Sequence, residues 1–397
     1  MLSYLHLVPF HETAAGGPLM AGRLQVVLGP AHDGPLVVEA PAVLRAAQQA
    51  AQDLAPELLI LLADPGFAQR WRGQVAGLGA ARVECAQAPL DREALLPGLP
   101  VLEVRAGGIP SEGALDRFLS VALTADRPVR WMRQGEVLAV YHLSPESYLS
   151  GSLAEARDVE AAAADWIGLQ EPDGVRRADQ AVFDGLVRDT DGYIARFDRR
   201  LSVALSRRLL RTPITPNQVT TAGLLLSLLG AAGLAFGSYA AQVAGVALLW
   251  FCCILDGCDG EVARLKLMCS RSGGDYDLIA DHIAHLAVFV AIPLAVRAAD
   301  PLASILLPGV LIVTGAAASG FSVWWLILRR PQKHPGPIQI FVERVASRDY
   351  VYLIAVLVVL RKLHWFLWAA AFGAHLFNLA LWWLHLRRQG PRAPAAA

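Results

Sequence analysis

The sequence predicts a multi-domain chain with two physically different halves. The first is an N-terminal soluble α/β domain, three-layer and Rossmann-like, and the second is a C-terminal all-α domain of six transmembrane helices. Three observations carry this expectation. Residues 1–185 alternate short apolar runs with helix-like stretches and carry charge throughout, the alternation of a layered α/β domain. Residues 217–386 are long apolar runs broken by basic loops. Only 18% of residues are charged, against about 25% in ordinary soluble chains, and the mean hydropathy is +0.41.

In the first half, strand-length apolar runs stand at Tyr4–Phe10, Leu24–Leu28, Leu58–Leu62, Val101–Val104 and Val137–Tyr141. Helical candidates Pro41–Leu54 and Glu112–Leu123 lie between them, and Gly16-Gly17, Gly29-Pro30, Asp64-Pro65-Gly66 and Gly107-Gly108 supply turns. Asp64 is open to two readings, a metal ligand at a strand end or a turn former before Pro-Gly, the second being the commoner use. The start of the chain has no basic stretch followed by an apolar core of signal-peptide length, so this domain is expected to be cytoplasmic. Five cysteines form no C-x-x-C pair and no zinc spacing. The 35 basic and 35 acidic residues cancel, which excludes a polyanion-binding tail, and no nucleic-acid partner is expected.

Residues 186–216 read as an amphipathic juxtamembrane helix. Tyr193, Phe197, Leu201 and Leu205 recur every four residues and Arg196, Arg199, Arg200, Arg207 and Arg208 flank them, a pattern suited to the lipid headgroup layer. Thr212-Pro213 and Thr215-Pro216 break it and begin the next helix. Six spans are expected within 217–390, at about 217–236, 241–262, 275–297, 302–328, 349–361 and 364–386, followed by a flexible tail at 391–397. Basic residues before the first span and after the second, fourth and sixth place both termini in the cytoplasm of a multi-pass protein in the cell (inner) membrane.

Chemistry concentrates in Asp256-Gly-Cys-Asp259-Gly260-Glu-Val-Ala263-Arg264, followed by Gly273, Asp277 and Asp281. Asp256 and Asp259 share a helical face at the end of the second span, as do Asp277 and Asp281 at the start of the third. Four carboxylates gathered at membrane depth demand positive charge, because each buried ion costs several kcal/mol. Hard divalent cations with oxygen ligands, two Mg²⁺ or Mn²⁺ ions, fit the ligand type and suit phosphoryl transfer. The small residues Gly260, Ala263 and Gly273 leave room for a nucleotide to approach the backbone, or else serve helix packing.

The pattern D-x-x-D-G-x-x-A-R-x(8)-G-x-x-x-D-x-x-x-D resembles the signature of the CDP-alcohol phosphotransferase (CDP-alcohol phosphatidyltransferase) family, over about residues 190–388, with every fixed position present. The resemblance implies a six-span, homodimeric membrane transferase that moves a substituted phosphate from a CDP-alcohol donor to an acceptor alcohol and releases CMP, in phospholipid or polyol phosphodiester biosynthesis. It puts the metal ligands at Asp256, Asp259, Asp277 and Asp281 and the general base at Asp281. Gly260, Ala263, Arg264 and Gly273 fall near the nucleotide. Asn217 and Thr220 match the Pro-Asn…Thr segment before the first span. Arg271, Arg344 and Arg348 are candidates for the phosphate of a phosphorylated polyol acceptor, and equally for topology-setting charges; Lys333 and His334 are similarly undecided.

The order of domains also resembles the di-myo-inositol-phosphate-phosphate synthase branch, in which a nucleotidyltransferase precedes the membrane module. A nucleotidyltransferase of that kind needs a G-x-G-x-R-L-like loop and a lysine for the triphosphate. Here the first lysine is Lys266, and Ala15-Gly16-Gly17 lacks an arginine at the expected spacing. The first domain is therefore expected to be degenerate and to act as scaffold or regulator, an active cytidylyltransferase being the minority view. Rival readings of the membrane half are an inactive scaffold or binding protein, and a transporter, for which the acids would be dispersed through several spans.

Overall fold

The computed structural model describes residues 24–31, 35–78, 82–105, 107–186, 193–236, 238–328 and 350–388. The expected strand Tyr4–Phe10, the tail at 391–397, and Lys333, His334, Arg344 and Arg348 lie outside them. The chain divides into two compact units. One holds the α/β residues together with Glu261–Ser270, and the other holds Gly192–Gly260 and the helices from Arg271 onward.

The α/β unit is built on seven strands: β1 (Gln25–Ala31), β2 (Leu58–Ala63), β3 (Val83–Ala86), β4 (Val101–Arg105), β5 (Val129–Arg133), β6 (Glu136–His142) and β7 (Arg157–Glu160). They form one sheet in the order β3-β2-β1-β4-β6-β5-β7. The sheet is mixed: β1 runs parallel to β2 and β4, while β6 is antiparallel to β4 and β5. The reversal at β6 follows from Gln134-Gly135, whose positive φ values of 50° and 84° fit a two-residue hairpin between β5 and β6.

Alternation along the strands sends Val26, Leu28, Leu59, Leu61, Leu102 and Val104 to one face, under helices α1 (Ala42–Leu54) and α2 (Ala114–Ala122). Val27, Leu58, Ile60 and Val101 point the other way, onto Leu90 and Leu95. Strand order reverses between β1 and β4, as in doubly wound folds. The chain leaving β1 enters a short hairpin, Leu36–Val37 with Ala40–Pro41, before α1 begins. Asp64 caps the helix Pro65–Arg70, its Oδ1 accepting the Phe67 amide at 2.9 Å, which is the turn-forming alternative.

The membrane unit comprises α3 (Tyr193–Leu210), α4 (Pro216–Ala235), α5 (Tyr239–Leu265), α6 (Arg271–Ala299), α7 (Leu306–Val323), α8 (Tyr350–Val359) and α9 (Leu363–Arg388), with α5 ending in the segment that joins the α/β unit. Five helices among the described residues, α4, α5, α6, α7 with its continuation, and α9, are long and apolar enough to cross a bilayer. The expected six-span count is met only in part. Over its ten described residues α8 rises about 15 Å, half a hydrocarbon core. The fourth span begins at Leu306 rather than near 302, because Asp300–Ala303 forms a turn closed by the Ala303 amide on the Asp300 carbonyl at 3.0 Å.

The basic helix α3 is docked on its neighbours as well as rimmed with charge. Val203, Ser206 and Leu210 are buried, whereas Arg200, Arg207 and Arg208 are exposed, and so is Phe197 of the expected apolar stripe. Tyr352 donates its hydroxyl hydrogen to Asp198 and accepts Trp250 Nε1 at 3.0 Å, linking α3, α8 and α5.

Spans α7 and α9 are joined by a buried polar seam. Asn378 Nδ2 donates to the Gly315 carbonyl at 3.2 Å and to Ser319 Oγ at 3.0 Å, while Asn378 Oδ1 accepts Ser322 Oγ at 2.9 Å. Trp382 Nε1 donates to the same Ser322 Oγ at 3.0 Å. In hydrocarbon no water replaces these partners, so the seam fixes the pairing and register of the two spans. Replacing Asn378 by Leu is expected to cost about 1 kcal/mol, read as a lowered unfolding midpoint of the detergent-solubilised protein.

Candidate active site

The site is assembled where α4, α5 and α6 meet, and each helix is placed by a local device. Thr215 and Gln218 form a capping box at the start of α4, with Pro216 in the first helical position. The box fixes where α4 begins and so where Thr220 points. Farther along, α4 and α5 approach closely because three glycines face one another. A Cβ on Gly245 would lie 2.6 Å from the Gly230 carbonyl oxygen, and one on Gly233 would lie 3.1 Å from the Gly245 Cα.

This approach brings the buried Thr220 hydroxyl to Asp259, where it donates to Oδ2 at 2.6 Å. The other oxygen of Asp259, Oδ1, accepts the Gly260 amide at 2.6 Å. Beside it, carboxylate oxygens of Asp256, Asp277 and Asp281 all lie within 4.8 Å of one another. Asp259 stands just outside this trio, its two oxygens already engaged. Thr220, which the resemblance places near the nucleotide, is here the orienting partner of a carboxylate. That contact links α4 to α5 and has no signature in sequence spacing.

Asp277 is 8% exposed, and its Oδ1 is buried with no hydrogen-bond partner among the described residues. A buried anionic oxygen without a donor, beside two further carboxylates, is a costly arrangement by itself and is relieved by a bound cation. An all-oxygen donor set of this kind suits a hard cation, so Asp256, Asp277 and Asp281 fit as metal ligands.

The other candidates are placed as follows. Asn217 is exposed in the first turn of α4, and its carbonyl accepts Thr221 Oγ1 at 2.8 Å. The same Thr221 hydroxyl meets the Tyr276 hydroxyl at 2.8 Å, tying α4 to α6. Gly260 and Gly273 are half-buried, and Arg271 is exposed as the first residue of α6. Ala263 and Arg264, also half-buried, belong to the segment that counts with the α/β unit.

Sequence reasoning missed the surroundings of Asp256 and Asp281. A cavity of about 60 Å³ opens beside them, with Ser227, His285 and Tyr350 among its lining residues. His285 stands one turn beyond Asp281, its Nδ1 2.6 Å from the Asp281 carbonyl oxygen. The i,i+4 spacing of Asp281 and His285 was the available signal.

Residues 213–383 match the family model described as CDP-alcohol phosphatidyltransferase. A bifunctional IPC transferase and DIPP synthase of Archaeoglobus fulgidus is 33% identical over 150 residues, 37% of this chain and 27% of the relative. A protein of the same description from Rubrobacter xylanophilus is 33% identical over 161 residues, 40% of this chain and 36% of the relative. A phosphatidylinositol phosphate synthase of Mycobacterium tuberculosis is 34% identical over 90 residues, 23% of this chain and 41% of the relative. The matched stretches thus span well under two thirds of the length of these relatives.

The trio generates a prediction about stability. Asp277→Asn removes one charge from the cluster, so the metal-free variant is expected to unfold no earlier than metal-free wild type. Wild type is expected to gain about 2.7 kcal/mol when the divalent ion is present at a hundredfold its dissociation constant, and the variant to gain almost nothing. Thermal unfolding with and without Mg²⁺ or Mn²⁺ checks both signs.

Proposed function

We propose, from the premise that residues 213–383 are a CDP-alcohol phosphatidyltransferase domain, that the chain is an integral-membrane transferase. It moves a substituted phosphate from a CDP-alcohol to an acceptor hydroxyl and releases CMP. One observation carries the proposal: three carboxylates of the signature converge within 4.8 Å, on the adjoining helices α5 and α6. A transporter would need acids spread along a path through several spans, whereas these gather in one place.

In this reading Asp256, Asp277 and Asp281 hold divalent metal, Mg²⁺ or Mn²⁺, with Asp259 completing the set for two ions. Bound divalent ions supply neutralising charge to the donor's diphosphate and to the oxygens gaining charge in the transition state. The chain's own groups do the rest. Thr220 and the Gly260 amide hold Asp259 in one orientation. The acceptor hydroxyl attacks the β-phosphorus of the donor, its proton passes to the Asp281 carboxylate, and the bond from the β-phosphorus to the bridging oxygen breaks, so that CMP leaves with that oxygen. Asn217 at the start of α4, with Gly260, Ala263, Arg264 and Gly273, lines the approach of the nucleotide.

The acceptor is an alcohol or a phosphorylated polyol, with Arg271, Arg344 and Arg348 as the residues that would fork a phosphate. Two of the relatives are named for DIPP synthesis and one for phosphatidylinositol phosphate synthesis, which supports a polyol or polyol phosphate in the acceptor position. The protein resides in the cell membrane with both termini cytoplasmic, following the distribution of basic loops, and the family resemblance implies a homodimer.

A bifunctional enzyme with an active N-terminal cytidylyltransferase is the second reading, favoured by the relatives described as bifunctional. Against it stands the sequence itself: Ala15-Gly16-Gly17 lacks an arginine at the spacing of a G-x-G-x-R-L-like loop, and no lysine precedes Lys266.

The decisive test is CMP release by the purified protein with Mg²⁺ or Mn²⁺ from CDP-diacylglycerol, CDP-inositol and CDP-glycerol, each with inositol phosphate and glycerol phosphate as acceptors. Turnover of at least one pair is expected, and Asp281→Asn is expected to lower kcat by about 10²-fold or more. No CMP from any pair with folded protein would sink the proposal.

A further inference from the structure

The helix that carries Asp256 and Asp259 ends inside the α/β unit, and its end is capped from there. Helix α5 closes with Leu267 in the left-handed region at φ 53°. The Met268 amide donates to the Ala263 carbonyl at 2.8 Å and the Leu267 amide to the Arg264 carbonyl at 3.3 Å, the paired bonds of a Schellman motif. A leucine tolerates this conformation poorly, and here it is compensated by complete burial of its side chain in the α/β core. Gly77 permits the approach, since a Cβ there would lie 2.0 Å from the Leu267 carbonyl oxygen.

The carbonyls left over at the end of α5 are taken by α1. Arg45 Nη2 donates to the Leu265 carbonyl at 2.5 Å, and Arg45 Nη1 and Gln48 Nε2 donate to the Arg264 carbonyl at 3.3 and 3.0 Å. The remaining donors of Arg45 go to the Val37 and Val38 carbonyls and to Gln48 Oε1. Arg45 is 2% exposed, so this guanidinium is a buried charge with every N–H committed to main-chain or amide oxygen. Burial lowers its pKa to about 10, opposed by the charge of Asp179, so it remains protonated at neutral pH. A cation at a helix C-terminus also meets the negative end of the macrodipole.

We infer that Arg45, seconded by Gln48, is a positioning residue for the transferase site: it fixes the last turn of α5, and with it Arg264 and the bearing of Asp259 about two turns upstream. The α/β domain then has a task that requires no turnover of its own, as the holder of the segment Glu261–Ser270. This rests on the transferase reading above and goes beyond it by giving the fused domain a part in the reaction.

The test uses the full chain in detergent or nanodiscs, comparing wild type with Arg45→Met, Arg45→Lys and the milder Gln48→Leu. Phe118→Leu, in the α/β core, serves as a control for general loss of stability. In Arg45→Met the amides of Leu267 and Met268 are expected to exchange with deuterium about tenfold faster, while that of Val27 in β1 is unchanged. The KM for the CDP-alcohol is expected to rise about tenfold with a smaller change in kcat. Lysine, a point charge without the planar fork, is expected not to restore it, Gln48→Leu should shift both readouts the same way by less, and Phe118→Leu should leave KM unmoved. Unchanged exchange at Leu267 and Met268, or faster exchange with unchanged KM, overturns the inference while leaving the transferase reading intact. If wild type turns over no donor, the transferase reading and Arg45's part in it both fall, and the exchange data still decide whether Arg45 holds the helix end.

Discussion

Carboxylates in an apolar helical bundle impose a constraint that the rest of the membrane unit is arranged around. Oxygens of Asp256, Asp277 and Asp281 within 4.8 Å of one another repel, and Asp277 is buried among them. Such a cluster persists only if the surrounding helices hold it against that repulsion and something positive offsets it. The buried Asp277 Oδ1, without a hydrogen-bond partner among the described residues, marks where such an offset would act. Under the proposed function, a bound divalent ion would complete this arrangement and leave it preorganised for the donor's diphosphate.

The holding is done by ordinary means. A capping box sets the start of α4, a glycine contact brings α4 against α5, and the hydroxyls of Thr220 and Thr221 tie α4 to α5 and to α6. Elsewhere in the unit the Asn378 seam pairs α7 with α9. These contacts are short and satisfied, and they lie on helices rather than loops, so the acids inherit the rigidity of their scaffold.

Much of this was legible in the sequence, for identifiable reasons. The strong strands β1, β2, β4 and β6 announce themselves as apolar runs, and α1 and α2 as Ala/Leu-rich stretches between turns. Strands β3, β5 and β7 did not stand out: VECA, VRWMR and RDVE are short, interrupted by charged residues, and owe their pairing to neighbours already in the sheet. The long spans follow from hydropathy alone, while α8 is too short over its described residues to be counted as one. The signature acids were readable from spacing, but the engagement of Asp259 by Thr220 was not, because it depends on how closely two helices approach. Arg45 was missed for a similar reason. One arginine on an alanine-rich helix looks like a solvated charge, and only the fold reveals that it is interior.

Arg45 and Gln48 reach main-chain oxygens at positions 264 and 265, and those oxygens exist whatever residues stand there. The grip of these two residues thus does not depend on which side chains stand at 264 and 265, and it would leave no trace as correlated substitutions between those positions and Arg45.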